Sequence, residues 1–200
     1  MSFHFPGSIR RKLIRFPTLE TERLILRKIG ERDVKDMFEY ARDPETSRYL
    51  LWEPHPDPAF TLAHIRRLQR QYKALTFFDW ALVEKKSRKM IGTAGFTAIH
   101  DLTGSAEIGY VLSPAYQRQG LAPEAVRAVL TFGFDTLGLD SVTCRIMEDN
   151  VASRKVAGRL GFTPLGFERE PLIKRGQRQR VARYRLMAEQ FRAKREKEQD

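Results

Sequence analysis

The chain has 200 residues, 42% of them hydrophobic, enough for one globular domain with a substantial core and a short terminal extension. No stretch approaches the ~18 uninterrupted apolar residues of a membrane span, and the N-terminus MSFHFPGSIRRKLIRF lacks the apolar core of a signal peptide, so no membrane association is expected. The formal charge of +11 favours a polyanionic partner (nucleic acid, an anionic cofactor or an acidic protein surface) without choosing among them, and the single cysteine excludes an internal disulfide and fits a reducing, cytoplasmic setting.

Residues 1–17 are basic without clear periodicity and read as an N-terminal arm or an edge segment rather than core. Thr21 to Lys28, TERLILRK, alternates around Leu24 and Leu26 as a half-buried strand does. Asp33 opens a helical pattern through Met37, Phe38 and Ala41, with a carboxylate suited to capping, and Asp43-Pro44 ends it. From Tyr49 to Phe60 the prolines and bulky aromatics of YLLWEPHPDPAF predict an ordered loop. A second amphipathic helix is expected from Leu62 to about Leu75. Phe77 to Val83, Lys89 to His100 and Ala106 to Leu112 then read as strands of an antiparallel meander.

After Ser113-Pro114 a loop leads into a helix whose residues Ala122, Val126, Val129, Leu130 and Leu137 recur at helical spacing, closed by Gly138. Ser141 to Met147 is a strand, with Cys144 read as a buried structural thiol. Ser153 to Leu160 is a short helix stopped by Gly161, and Thr163 to Phe167 and Val181 to Met187 supply the last strands. Residues 192–200 form a charged C-terminal tail. This order describes one α+β domain over residues 18–191, built around a central sheet.

Two segments carry chemistry. Gln117, Arg118, Gln119, Gly120, Leu121 and Ala122 lie between a strand and a helix, where free backbone N–H groups meet the positive end of the helix dipole. Alone, the segment fits either a diphosphate site or an ordinary helix start with a glycine turn. The second, Glu148-Asp149-Asn150-Val151-Ala152-Ser153 followed by a short helix and Leu160-Gly161-Phe162, has Asn150 and Ser153 placed as helix-capping residues.

Together the segments resemble the signature motifs of the GCN5-related N-acetyltransferase (GNAT) superfamily: Q-x-x-G-x-A at a strand-to-helix junction, then N-x-x-S with L-G-F. The start TERLILR and the strand Ala106-Glu107-Ile108-Gly109-Tyr110 resemble its Rim-type (RimJ/RimL-like) branch, which includes enzymes acetylating N-terminal residues of ribosomal proteins. The resemblance implies a GNAT-like fold, a mixed and mostly antiparallel sheet flanked by helices, splayed between the strands carrying Val111 and Cys144 to admit acetyl-CoA. It implies that the backbone from Gln117 to Ala122 holds the pyrophosphate, that Val111 and Leu112 hydrogen-bond the pantetheine, and that Asn150 and Ser153 lie near the sulfur.

The implied reaction is direct attack of an amine on the thioester in a ternary complex, with a general base and a backbone oxyanion donor near Val111. Glu107, on the strand leading to the cofactor, is either that base or a solvent-facing partner of a neighbouring Arg or Lys. The tyrosine many members carry four positions after the motif serine is Ala157 here, which leaves Ser153 as the nearest hydroxyl to assist the sulfur. Arg145 stands where N-terminal acetylating relatives carry a glutamate. His4, His55, His64 and His100 have no metal-ligand spacing, so no metal is expected.

The acceptor implied by the Rim-type likeness is a protein or peptide N-terminal amine, with a ribosomal protein as target, association with the ribosome, and a monomeric or homodimeric enzyme. The alternatives are a small-molecule amine (an amino acid, polyamine or aminoglycoside) or a noncatalytic RNA- or ribosome-binding module. The acceptor is expected to enter beside Trp52-Glu53-Pro54 and the segment from Glu168 to Arg180.

Overall fold

In the computed structural model the described residues are 8–198; residues 1–7 of the expected arm and 199–200 of the expected tail lie outside them. The first element, α1 (Ser8–Arg11), corrects the reading of residues 1–17 as an arm apart from the core. Ile9 and Leu13, each 1% exposed, join the main apolar cluster, and Arg10 binds the Asp101 carboxylate at 2.8 Å. Apolar side chains four residues apart share one side of a turn, so two of them suffice to bury a segment that is otherwise basic.

β1 (Leu19–Glu20) and β2 (Leu24–Lys28) follow, with Leu24 and Leu26 fully buried as their alternation requires. Next come α2 (Val34–Ala41), α3 (Pro44–Ser47) and α4 (Pro58–Lys73). The second of the expected helices starts at Pro58 rather than Leu62, because Asp57 accepts from the Phe60 N–H at 2.7 Å and Pro58 occupies the first turn. β3 (Phe78–Glu84), β4 (Met90–His100) and β5 (Ser105–Leu112) form the expected meander with β2. α5 (Leu121–Thr131) continues into a π-helical stretch, Phe132–Leu137, that ends at left-handed Gly138. β6 (Ser141–Met147), α6 (Val151–Leu160), β7 (Thr163–Phe167), β8 (Leu172–Lys174), β9 (Gln177–Gln179), β10 (Val181–Met187) and α7 (Ala188–Lys197) complete the chain.

The main sheet has the order β1-β2-β3-β4-β5-β6-β10-β7, antiparallel throughout except for the parallel pair β5 and β6. One face packs on α1, α5 and α7 through residues such as Trp80, Phe96, Val129 and Phe191; the other packs Ala81 and Val83 against Met37 and Tyr40 of α2 and Ile65 and Leu68 of α4. β8 and β9 pair separately as a hairpin turned by Arg175 and Gly176, both with positive φ. No helix among the described residues is long and apolar enough to cross a membrane.

Asp33 does not cap α2 through its side chain as expected. Its carboxylate, 3% exposed, turns back to accept from the Gly30 N–H at 2.8 Å and holds the Arg27 guanidinium at 2.6 and 2.8 Å. Removing it strands a largely buried cation. Asp33→Ala is expected to lower the unfolding free energy by about 3 kcal/mol in urea denaturation at neutral pH. A loss below about 0.5 kcal/mol, the size of an ordinary surface change, would show that Arg27 finds other partners.

Candidate active site

β5 and β6 pair only at Ser105, Ala106 and Glu107 with Ser141, Val142 and Thr143. Beyond that point β5 runs to Leu112 along β4, β6 runs to Met147 along β10, and the two part. Val111 and Cys144 lie on opposite sides of the opening, as the family resemblance implied. A cavity of about 560 Å³ sits there and is lined by Glu107, Val111, Asn150 and Ser153 among the expected site residues. A backbone edge left without a sheet partner needs another one, and an extended chain with amide groups can supply it.

Leu112 is buried at the C-terminal end of β5, where its carbonyl accepts from the Gln117 amide at 3.0 Å. Residues 117 to 122 do not line the cavity; they form the loop and first helical turn beyond this strand end. Gly120 is left-handed at φ 78°, and Arg118 takes φ 61°. Among the described residues no backbone or side-chain acceptor meets the N–H groups of Arg118, Gln119 or Gly120. With the orphan N–H groups of Leu121 and Ala122 they make a concave donor surface at the positive end of α5, which fits a diphosphate. Leu121, 2% exposed, anchors the turn in the core. From the other side Glu124 holds Thr21 at 2.6 Å and Arg23 at 2.6 Å, while Arg23 donates to the Gln119 carbonyl at 2.8 Å. The loop is therefore fastened to the β1–β2 turn before any ligand arrives.

Asn150 caps α6, its side-chain oxygen accepting from the Ser153 N–H at 3.1 Å. Ser153 itself caps nothing through its hydroxyl, which lies 2.6 Å from the Tyr110 hydroxyl. Ala157 is buried against α5 and the core. Thus a phenol absent from α6 reaches the same serine from β5. Burial raises the Tyr110 pKa well above its ordinary value, with the Ser153 hydrogen bond acting the other way, so the pair stays protonated at neutral pH. Alternation places Ala106, Ile108 and Tyr110 on one face of β5, but the contact across 43 residues is tertiary and has no local sequence signal.

Cys144 is buried and free, and burial pushes its thiol up to about 12, as befits a structural residue. Glu107 is half-buried where the strands part, with one carboxylate oxygen 3.3 Å from the Thr97 hydroxyl. Arg145 holds Glu168 in a two-pronged pair at 2.7 and 3.0 Å. Sequence reasoning passed over Asp79 and Thr93, which also line the cavity. Burial pushes the Asp79 carboxyl up to about 7, against a hydrogen bond from Thr93 that lowers it. An acid between Phe78 and Trp80 in an otherwise apolar strand was the available clue.

The far wall is the loop from Tyr49 to His55, which the hairpin β8–β9 clasps: Lys174 donates to the Trp52 carbonyl at 2.9 Å and pairs with Glu53, and Arg175 holds Glu53 at 3.0 Å and the Ser47 hydroxyl at 2.9 Å. The two segments expected beside the acceptor are thus joined. His55 and His64 lie in this wall with ring centres 5.1 Å apart. Burial lowers both, His64 to about 4, so the wall carries neutral imidazoles at neutral pH.

Comparison with known proteins agrees with this geometry. The family model for an acetyltransferase (GNAT) domain matches residues 23–163. The uncharacterized N-acetyltransferase YoaA of Bacillus subtilis is 32% identical over 161 residues, 80% of this chain and 91% of that protein. The ribosomal protein uS5-alanine N-acetyltransferase of Escherichia coli is 26% identical over 167 residues, 80% of this chain and 84% of that protein. Among solved structures, RimL, a ribosomal L7/L12 alpha-N-protein acetyltransferase in complex with coenzyme A, superposes with a TM-score of 0.77 at 21% identity over 86% of this chain and 98% of that one. The chain belongs to the GNAT acetyltransferase family and is an acetyl-CoA-dependent N-acetyltransferase.

Proposed function

We propose that the protein, working in the cytoplasm, acetylates the N-terminal amine of a protein or peptide, with a ribosomal protein as target. The observation that carries the acceptor class is the likeness to the uS5-alanine acetyltransferase along four-fifths of both chains. The basic surface supports it, because a target within an anionic ribonucleoprotein attracts a chain of charge +11, whereas a free polyamine or aminoglycoside is repelled.

Acetyl-CoA supplies an acyl group activated as a thioester. In this reading the N–H groups from Arg118 to Ala122 hold its diphosphate, with the Gln117 and Gln119 amides bracing the loop at the Leu112 and Ala115 carbonyls. The β5 edge facing the gap at Val111 and Leu112 orients the pantetheine amides, with the Leu112 N–H, which points away from β4, as donor to the carbonyl oxygen as negative charge develops there. Glu107 takes the proton of the attacking amine, directly or through water. Ser153, backed by Tyr110, hydrogen-bonds the departing sulfur and supplies its proton.

The test is release of free thiol from acetyl-CoA with equal concentrations of peptide N-termini, an aminoglycoside and a polyamine, together with ribosome sedimentation at low and high salt. Preferred peptide acetylation and salt-sensitive ribosome association are expected. Preference for the aminoglycoside or polyamine with no ribosome association would overturn the acceptor class, and the absence of amine-dependent thiol release with all three would overturn the activity.

A further inference from the structure

One acid in the cavity has no part in the chemistry above. Phe78 and Trp80 bury their rings on the α5 side of the sheet, so Asp79 between them faces the α2 and α4 side, as Ala81 and Val83 do. The hydroxyl of Thr93 is its hydrogen-bond partner, and among the described residues no lysine or arginine pairs with it. The other charged or titratable groups of the cavity are Tyr40 of α2, Tyr49 and His55 of the loop, His64 and Arg67 of α4, Glu107 and Tyr110 of β5, and Cys144 and Arg145 of β6. Arg67 is bound to His64 at 3.1 Å, and Arg145 is held by Glu168.

The register shows what connects this acid to the gap. Asp79 is opposite Gly95, and Gly95 is opposite Gly109, which lies beyond the last β5–β6 pair. The row spans two strand spacings, about 10 Å. Neither glycine raises a side chain into it; Gly95 has no room for one, and Gly109 would take one only if Thr97 shifted. A Cβ on Gly95 would lie 2.0 Å from the Phe78 carbonyl oxygen, and one on Gly109 would lie 3.0 Å from the Thr97 methyl. The neighbouring row of Ala81, Thr93 and Val111 forms one bank of this trough, and Thr97 and Glu107 form the other. An open floor therefore runs from the edge where the strands part to an acid that lacks a counter-ion.

A half-buried carboxylate is stabilised by an ion partner, and among the described residues none supplies it, which leaves a ligand to do so. We infer that Asp79 is a specificity residue of the acceptor side: it receives a second positive charge, ammonium or guanidinium, carried by the acceptor close to its reacting amine. This rests on the reading that an amine acceptor fills the cavity. The charge can belong to a basic side chain at a peptide N-terminus or to the second amine of a diamine.

The experiment compares kcat/KM for peptides beginning with arginine or with its uncharged isostere citrulline, and for 1,4-diaminobutane against butylamine, from pH 5.5 to 8.5. The wild-type enzyme is expected to prefer the charged member of one pair by about tenfold at pH 8. The pair that shows the preference identifies the source of the charge. Because the carboxyl is ionised above about 7, the preference should fade as pH falls below it, a test on the wild-type protein that depends on no variant. In Asp79→Asn the ratio should approach one while the acetyl-CoA-induced rise in Tm is unchanged. Equal rates within both pairs for the wild-type enzyme, or a preference that survives in Asp79→Asn, would overturn this inference and leave acetyl transfer standing. Failure to acetylate any amine would instead overturn the proposed function.

Discussion

Gly120→Glu is expected to fold and to lose the rise in Tm that acetyl-CoA gives the wild-type protein. A ligand at about a hundred times its Kd stabilises a fold by about 2.7 kcal/mol, which for a domain of this size is a rise of about 5–10 °C. Gly120 sits at φ 78° at the N-terminus of α5, and a Cβ there would meet only the Arg23 guanidinium, at 3.4 Å. The space is sufficient, but left-handed backbone costs a residue with a side chain about 1–2 kcal/mol, so the variant should melt somewhat lower without ligand. Its carboxylate would stand among the free N–H groups of Arg118 and Gln119 and repel a diphosphate. Gly120→Asn separates charge from strain, since asparagine tolerates this conformation and adds no charge; it should keep part of the rise. A folded Gly120→Glu protein with the full rise would exclude this loop as the cofactor site.

Glu107→Gln is expected to lower kcat by about a hundredfold while leaving acetyl-CoA binding nearly intact. Glutamine preserves the length of the side chain and its contact with Thr97, yet cannot accept a proton. A structural acid at the same place would show the opposite pattern, with altered stability and unchanged turnover. Wild-type kcat in this variant across pH 6 to 9 would assign Glu107 to structure and direct attention to the other acid of the cavity, Asp79.

The parts of the fold that were legible in the sequence are those with a local signal. β6, β7 and β10 occupy the expected residues, because alternation or an apolar run bounded by glycine or charge marks each of them. α1 was hidden because Ile9 and Leu13 stand alone among basic residues, and the start of α4 was hidden because Pro58 reads as a breaker until Asp57 is recognised as its cap. The hairpin β8–β9 is short and exposes Ile173 while burying Lys174, so it shows no apolar alternation, and only its left-handed Arg175-Gly176 turn hints at it. The junction between β5 and α5 was legible because strand end, glycine and helix start are contiguous. Tyr110 on Ser153 and the row from Asp79 to Gly109 depend on register between distant strands, which local pattern does not encode.

The central claim is that acetyl-CoA binds along the edge where β5 and β6 part and under the first turn of α5. Amide hydrogen exchange with and without acetyl-CoA tests it most directly, because the same N–H groups that have no acceptor in the protein would gain one from the ligand. Slowed exchange is expected at Tyr110 and Leu112, whose N–H groups face the gap, and at residues 118–122, with little change in β1, β7 or the exposed turns. Unchanged exchange at both stretches under saturating acetyl-CoA, with protection appearing elsewhere, would contradict the account.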